Sequence, residues 1–221
     1  MTKTIAVIPA RGGSKRLPHK NIKLLGELPL LAHSILYAKK HVFIDEVYVS
    51  TDDEAIKEVA LQFGAKVVNR PAELSGDHEP TVSALKHVLE TRNTSAENVI
   101  LLQPTNPLRP ENLLHEAFAL FQNRGLDSLF TVSRHNQKLG KIVNSQFVPF
   151  NYKIGQRSQN LEPLYAENGL LYIVKSSVIL NNEIITNAAY PYEVDHVFAH
   201  VDIDTQEDFD YANYLLNKTK H

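Results

Sequence analysis

Arg11, Lys15, Arg16 and Lys20 lie within ten residues, with Gly12 and Gly13 among them and the apolar run 5–8 just before. Such a cluster suits a phosphate. Arginine offers a two-pronged fork to phosphate oxygens and lysine a point charge. Glycines let the backbone come close, and successive amides at Gly12, Gly13 and Ser14 can form an anion-binding nest. A solvated basic turn is the plainer alternative, and it would suffice for an isolated glycine pair. Neither G-x-G-x-x-G nor G-x-x-x-x-G-K-[ST] occurs, which speaks against a dinucleotide oxidoreductase and a P-loop ATPase. Near the other end, Asp202 and Asp204 alternate with Val201 and Ile203. If 197–203 is a strand, both carboxylates face one way and can share a hard cation such as magnesium. The competing reading is that Asp204 or Thr205 caps the next helix, with Glu207 and Asp208 at its positive end. His200 lies on the same face, but without a cysteine or a clear third ligand it makes a poor zinc site.

These groups need a scaffold, and the apolar periodicity supplies one. Strands are expected at 4–9, 46–50, 66–69, 98–103 and 128–133, separated by helices at 29–41, 53–63, 81–90 and 111–123. Gly64 falls where a helix-closing left-handed residue belongs. Strands at 170–174 and 197–203 and a helix at 205–216 complete the pattern. This β-α-β-α order predicts a three-layer α/β fold, a mostly parallel twisted sheet with helices on both faces. The rhythm breaks at 134–170, where polar segments flank a strand pair at 142–150. That stretch is read as a lid or dimerisation arm within a single domain, 1–221. Buried parallel strands place such loops at their carboxyl ends, where ligands bind.

Composition narrows the field. The chain has 221 residues, 43% apolar and 22% charged, and no cysteine, which excludes disulfides, a thiolate nucleophile and Cys-type metal sites. No stretch approaches the roughly 18–20 apolar residues of a membrane span, and 5–8 is too short for a signal peptide, so a cytoplasmic protein is expected. Residues 1–26 carry six cations and no acid, leaving −8 for the remainder of a chain whose net charge is −2. A small polyanion fits that local patch; a nucleic acid would need an extended basic face.

Residues 8–21, Ile-Pro-Ala-Arg-Gly-Gly-Ser-Lys-Arg-Leu-Pro-His-Lys-Asn, resemble the signature of the cytidylyltransferases that make CMP-sialic acid and related CMP-nonulosonates. The likeness continues through Arg70-Pro71, Leu74, Asp77 and Thr81, then 101–109 (Leu-Leu-Gln-Pro-Thr-Asn-Pro-Leu-Arg), Glu167-Asn168-Gly169 with Tyr172, and 201–205 (Val-Asp-Ile-Asp-Thr). Asn106 and Arg16 depart from the family, which commonly has Ser and often Gly there. The resemblance implies CTP as one substrate and a nine-carbon 2-keto sugar acid as the other, in a magnesium-dependent homodimer, with manganese as a substitute metal. It implies nucleotide contacts from Ala10, Arg11, Gly12, Gly13, Ser14, Lys20, Asn21, Arg70 and Thr81. Gln103, Arg157, Tyr165 and Asn168 would meet the sugar acid, Arg157 and Tyr165 reaching it from the excursion, in this subunit or its partner. Asp202 and Asp204 would hold the metal, and Arg11, Lys20 and Asp202 would be catalytic. Arg109 reads either as a fork for a carboxylate or as a surface residue before a helix. The related enzymes acting on an eight-carbon octulosonate carry an acid soon after the equivalent glutamine; here Pro104, Thr105 and Asn106 follow Gln103. An octulosonate transferase and a non-catalytic nucleotide-sugar-binding module are the alternatives.

Overall fold

In a computed structural model that describes residues 3–218, strand β1 (Thr4–Pro9) lies near the middle of a seven-stranded sheet. Alternate side chains of a strand point to opposite faces, and both faces of this one are apolar. Ile5 and Val7 pack with Leu85, Val88, Val99 and Leu101 on one side. Ala6 and Ile8 join Leu31, Ile35, Ile56, Ala60 and Leu114 on the other. A strand buried on both faces demands helices on both.

Along the chain follow the short ribbon β2 (Leu24–Leu25) and β3 (Leu28–Pro29), then α1 (Leu30–Lys39), β4 (Glu46–Thr51), α2 (Glu54–Gln62), β5 (Lys66–Asn69), α3 (Thr81–Arg92), β6 (Asn98–Leu101) and α4 (Leu113–Asn123). After them come β7 (Ser128–His135), β8 (Gly140–Val143), β9 (Gln146–Pro149), β10 (Leu164–Lys175), α5 (Ser176–Leu180), β11 (Tyr190–Glu193) and α6 (Gln206–Lys218). The sheet order is β11-β7-β10-β6-β1-β4-β5. All neighbours are parallel except β10, which runs antiparallel to β6 and β7. From β1 the chain adds β4 and β5 on one side, then returns to lay β6 on the other. The crevice of an open α/β sheet lies at that reversal, beyond the strands' carboxyl ends.

Helices α1, α2 and α4 cover one face, and α3 and α5 the other. A third cluster packs Phe209, Ala212 and Leu215 of α6 against Leu17, Leu25, Leu30, Val201 and Ile203. It fixes the loop after β1 to the segment that carries Asp202 and Asp204. Helix α2 begins at Asp53, whose Oδ1 accepts from the Ile56 amide at 2.9 Å, and ends before Gly64, at φ +75°. Both terminal signals follow from the side chains present.

The expected strand at 197–203 is replaced by a 3-10 turn, Val197–His200, and an extended stretch outside the sheet. The apolar alternation there records burial and not ladder pairing. Ala199, Val201 and Ile203 are buried, whereas Val197 is half exposed. Between 134 and 170, sheet pairing persists further than expected: Leu164 pairs with His135 and Ala166 with Ser133. The chain leaves the main sheet only at 136–163, where β8 and β9 form a separate hairpin. Its turn uses Asn144 and Ser145 at φ 50° and 62°, the left-handed pair that tight hairpins require.

Candidate active site

Beyond the ends of β1, β5 and β6 opens a cleft of about 480 Å³ that contains all four cations of the first loop. The Ala10 amide donates to the Ser50 carbonyl at 2.9 Å, and Asn21 Nδ2 to the Arg11 carbonyl at 3.0 Å, so both residues shape the loop. A Cβ at Gly12 would stand 2.6 Å from Asp53 Oδ2, which explains that glycine; at Gly13 nothing lies within 4 Å. The expected amide nest is partly engaged from within. Gly12 N donates to Asp52 Oδ1 at 2.9 Å, and Ser14 N turns back to the Gly12 carbonyl at 2.8 Å.

Each cation of the loop meets a carboxylate. Arg11 lies 3.1 Å from Asp77 Oδ1 and also donates to the Gly76 carbonyl at 2.9 Å. Lys15 contacts the other oxygen of Asp77, and this pairing holds the Asp77 carboxyl below its usual range. Arg16 is 2.6 Å and Lys20 2.9 Å from Asp204. Lys20, 8% exposed, also donates to the Ile203 carbonyl at 2.7 Å. Arg70 is bound from two sides by Ser50, Nε to Oγ at 3.0 Å and Nη2 to the carbonyl at 2.5 Å. Burial lowers its pKa, and it forms no ion pair among the described residues. A buried arginine on the cleft wall without a carboxylate is suited to an uncharged ring or an anion. Thr81, the first residue of α3, lines the same wall.

A second cleft, about 520 Å³, adjoins the first at Gln103, which lines both. Its walls include Glu167, Asn168, Tyr172, His135, His200 and Asp202. Asp202 thus opens on the second cleft and Asp204 on the first. Of the two capping candidates, Thr205 is the one at the helix start. Thr205 Oγ1 accepts from the Asp208 amide at 3.2 Å, and Asp208 Oδ2 accepts from the Thr205 amide at 2.8 Å, a reciprocal box.

The oxygen donors here fit a magnesium ion, one ligand more readily than the other. Burial pushes the Asp202 carboxyl up, Thr105 pulls it down less strongly, and the nearby Asp204 charge pushes it up again. Asp202 has no cationic partner within ion-pair distance among the described residues, so a cation would relieve that penalty. Asp204 is already shared by Lys20 and Arg16. No cluster of three or more His, Cys, Asp or Glu able to hold a metal occurs among the described residues, so phosphate and water oxygens would have to complete the shell.

The reading of Arg109 changes, and the acceptor candidates take definite places in the fold. Arg157 and Tyr165 line neither cleft of this chain: Arg157 is exposed in a loop, and Tyr165, 49% exposed, pairs with Arg134 at the outer end of β10. Arg109 is neither a carboxylate fork nor a surface residue. It is buried, donating to the Leu170 carbonyl at 2.7 Å, Ser34 Oγ at 3.0 Å and the Gln103 carbonyl at 2.9 Å. Asn168 lines the second cleft, but its Oδ1 accepts from Thr131 Oγ1 at 2.6 Å and the Leu170 amide at 3.2 Å, which ties it to the backbone. Asn106 is a staple: its Nδ2 donates to the Asn168 carbonyl at 3.0 Å and the Val201 carbonyl at 2.7 Å. Gly169, at φ +73°, faces that staple so closely that a Cβ would lie 2.6 Å from Asn106 Oδ1. Sequence reading missed the counter-charge role of Asp77 and the contact between Tyr172 and Glu167. Both motifs were visible, but the pairings span a fold and a bulge.

The chain is 33% identical over 215 residues to the N-acylneuraminate cytidylyltransferase of Streptococcus agalactiae, covering 94% of this chain and 52% of the relative. This chain thus spans about half the length of that curated relative. It is 34% identical over 232 residues to the pseudaminic acid cytidylyltransferase of Campylobacter jejuni, covering 99% and 98%. The solved structure of CMP:2-keto-3-deoxy-manno-octonic acid synthetase complexed with CTP superposes with a TM-score of 0.74 at 19% identity, covering 99% of this chain and all of that one, a likeness of fold. The cytidylyltransferase profile matches residues 5–220, and the chain belongs to the cytidylyltransferase family.

Proposed function

We propose that the protein condenses CTP with a nonulosonic acid, of the N-acetylneuraminate, legionaminate or pseudaminate type, to give the CMP-sugar and pyrophosphate. The observation that carries this reading is the shared wall at Gln103, where a cationic cleft meets a polar one. It is supported by the activities for which the relatives are named, N-acylneuraminate and pseudaminic acid cytidylyl transfer.

The first cleft takes the nucleotide. Arg11, Lys15 and Lys20 meet the triphosphate, while Asn21, Arg70 and Thr81 surround the cytidine. The sugar acid occupies the second cleft against Gln103 and Asn168, with Arg157 and Tyr165 supplied by a second subunit. The anomeric hydroxyl then attacks the α-phosphorus, forming an O–P bond as the bond to the β-phosphate breaks and pyrophosphate leaves. Its proton passes to one of the two aspartates or to a water at the site. Catalysis of this kind rests on positioning and on neutralising charge at the phosphoryl oxygens. Asp202, and Asp204 once Arg16 lets go, would hold a magnesium or manganese ion, whose contribution is charge neutralisation at the phosphates.

The excursion at 134–170 is read as a dimerisation arm. Ile142, Phe147, Phe150 and Ile154 are 53–85% exposed there, an apolar surface that suits a second copy of the chain. No helix among the described residues is long and apolar enough to cross a membrane. The deciding experiment is pyrophosphate release from CTP and each candidate acid with magnesium present. Binding of both substrates without release would identify a nucleotide-sugar-binding module instead.

A further inference from the structure

Glu167 and Tyr172 are five residues apart on β10. In a regular strand that separation puts two side chains on opposite faces, roughly 17 Å apart. Here the Tyr172 hydroxyl donates to Glu167 Oε1. A bulge makes this contact: Glu167 pairs with Val132 and Tyr172 with Phe130, so five steps on β10 match two on β7. Gly169, at φ +73°, supplies the left-handed residue inside the bulge. Bulges of this kind re-aim side chains beside active sites.

The contact continues to Gln103, whose Nε2 lies 3.4 Å from the Tyr172 oxygen. A phenol has a single proton. Once that proton is directed at Glu167, the Tyr172 oxygen can only accept, so the Gln103 NH2 must face it and the Gln103 carbonyl must face away. Tyr172, 4% exposed, keeps its proton, because burial and the Glu167 charge hold its pKa well above the usual range.

We propose that Glu167 is a positioning residue: through Tyr172 it locks the Gln103 carboxamide with its oxygen turned away from Tyr172, the orientation in which it accepts from a hydroxyl of the sugar acid. This rests on the reading of the second cleft as the acceptor site. Gln103 then touches the substrate, while Glu167 acts through Tyr172. A carboxylate is needed only as an acceptor, so Glu167→Gln, which can present its own carbonyl to Tyr172, preserves the lock, whereas Glu167→Ala and Tyr172→Phe remove it.

The test combines steady-state kinetics with NMR of the Gln103 side-chain amide, assigned by its loss in Gln103→Ala. Glu167→Ala and Tyr172→Phe should each raise KM for the sugar acid about tenfold, a typical effect of one charge-assisted hydrogen bond, with KM for CTP changed less than about twofold. The double variant should be no worse than the poorer single one, because both cut the same chain. Glu167→Gln should recover most of the loss, and the Gln103 amide signals should move in Glu167→Ala and Tyr172→Phe but stay near their native positions in Glu167→Gln. Unmoved signals in Glu167→Ala, or a Glu167→Gln variant as impaired as Glu167→Ala, overturns the proposal. If the native chain turns over no sugar acid, the acceptor reading fails separately, and the amide signals still decide whether Glu167 orients Gln103.

Discussion

Lys20 Nζ stands 2.9 Å from Asp204 Oδ1 and 2.7 Å from the Ile203 carbonyl, across 184 residues of sequence. One ammonium therefore joins the loop after β1 to Asp204, ahead of α6. Lys20, Arg16 and Asp204 form one charge network, in which Lys20 is buried and Arg16, at 68% side-chain exposure, is the easily displaced member. An incoming phosphate can draw Arg16 off Asp204 at little cost, since an exposed ion pair contributes about 0–1 kcal/mol.

That network separates two substitutions which sequence alone would treat alike. Lys20→Ala should lower turnover roughly 100-fold or more by removing charge stabilisation at the phosphates, and should also cost stability, because a nearly buried partner of Asp204 is lost. Arg11→Ala should lower turnover comparably but leave the melting temperature within a degree or two, since its contacts to Asp77 and Gly76 are exposed. Pyrophosphate assays beside thermal melts measure both. Near-native turnover in the two variants would remove the phosphate role from this loop.

The carboxylates should behave unequally. Asp202→Asn should abolish magnesium dependence along with activity, with a loss of about 100-fold or more. Asp204→Asn should lose activity and also loosen Lys20, and so show a lower melting temperature that Asp202→Asn does not. Turnover should vanish with chelator and return with magnesium or manganese. Undiminished turnover in metal-free buffer would exclude a metal role for the pair.

Much of the scaffold can be read from the chain because its signals are local. Strand β5 at 66–69 and the cap at Gly64 follow from alternation and from one left-handed residue. The basic loop stands out because its charges are adjacent in sequence. The site's cross-braces are different in kind. Asn106 bonding Val201, Asp77 meeting Arg11, and Glu167 reaching Tyr172 through a bulge all depend on tertiary approach, and no periodicity encodes them. At 197–203 the alternation is real, but burial against α6 produces it as well as a sheet would. Arg109 shows the same limit: a guanidinium just before a proline looks exposed until the fold closes over it.

Arg109 has a testable structural role. Burial pulls its pKa down to about 10, so it stays charged at neutral pH, held by three oxygen acceptors and lying 5.7 Å from the centre of the Tyr37 ring. Arg109→Ala should leave those acceptors unpaired and destabilise the protein by about 2–4 kcal/mol, lowering the melting temperature by roughly 5–15 °C. Differential scanning calorimetry measures this directly. A shift below about 2 °C would mean the guanidinium is no strut.

The hairpin carries the assembly prediction. Ile142 and Ile154 are 80% and 85% exposed, and Phe147 is 53% exposed. Sedimentation at micromolar concentration should show a dimer, and a paired Ile142→Asp, Phe147→Asp variant should run as a monomer with its helical signal intact. Because Arg157 and Tyr165 line no cleft of their own chain, that monomer should also bind the sugar acid more weakly while binding CTP normally. A native protein that sediments as a monomer would refute the arm.

The acceptor itself can be argued from what surrounds Gln103. Between Gln103 and Arg109 stand Pro104, Thr105, Asn106, Pro107 and Leu108, with no acid among them. This stretch therefore offers a metal no carboxylate. Asn106 is not free to bind sugar, since its amide holds the Asn168 and Val201 carbonyls, so selectivity falls to the remaining groups of the second cleft. Those include Gln103, Ser133, His135, His200 and Tyr172, a wall rich in hydrogen-bonding groups, with two carboxylates and no lysine or arginine from this chain. A wall of this kind favours a long, hydroxyl-rich, N-acylated chain and penalises an analogue that leaves its groups unpaired. Sites built on hydrogen bonds can discriminate by 10⁴ or more, whereas a missing methylene in an apolar pocket costs about 10–200-fold. Measured with CTP at matched acid concentrations, kcat/KM for the best nonulosonic acid should exceed that for the eight-carbon octulosonate by at least about 100-fold. An octulosonate with the highest kcat/KM would reverse the acceptor assignment and leave the cytidylyl transfer standing.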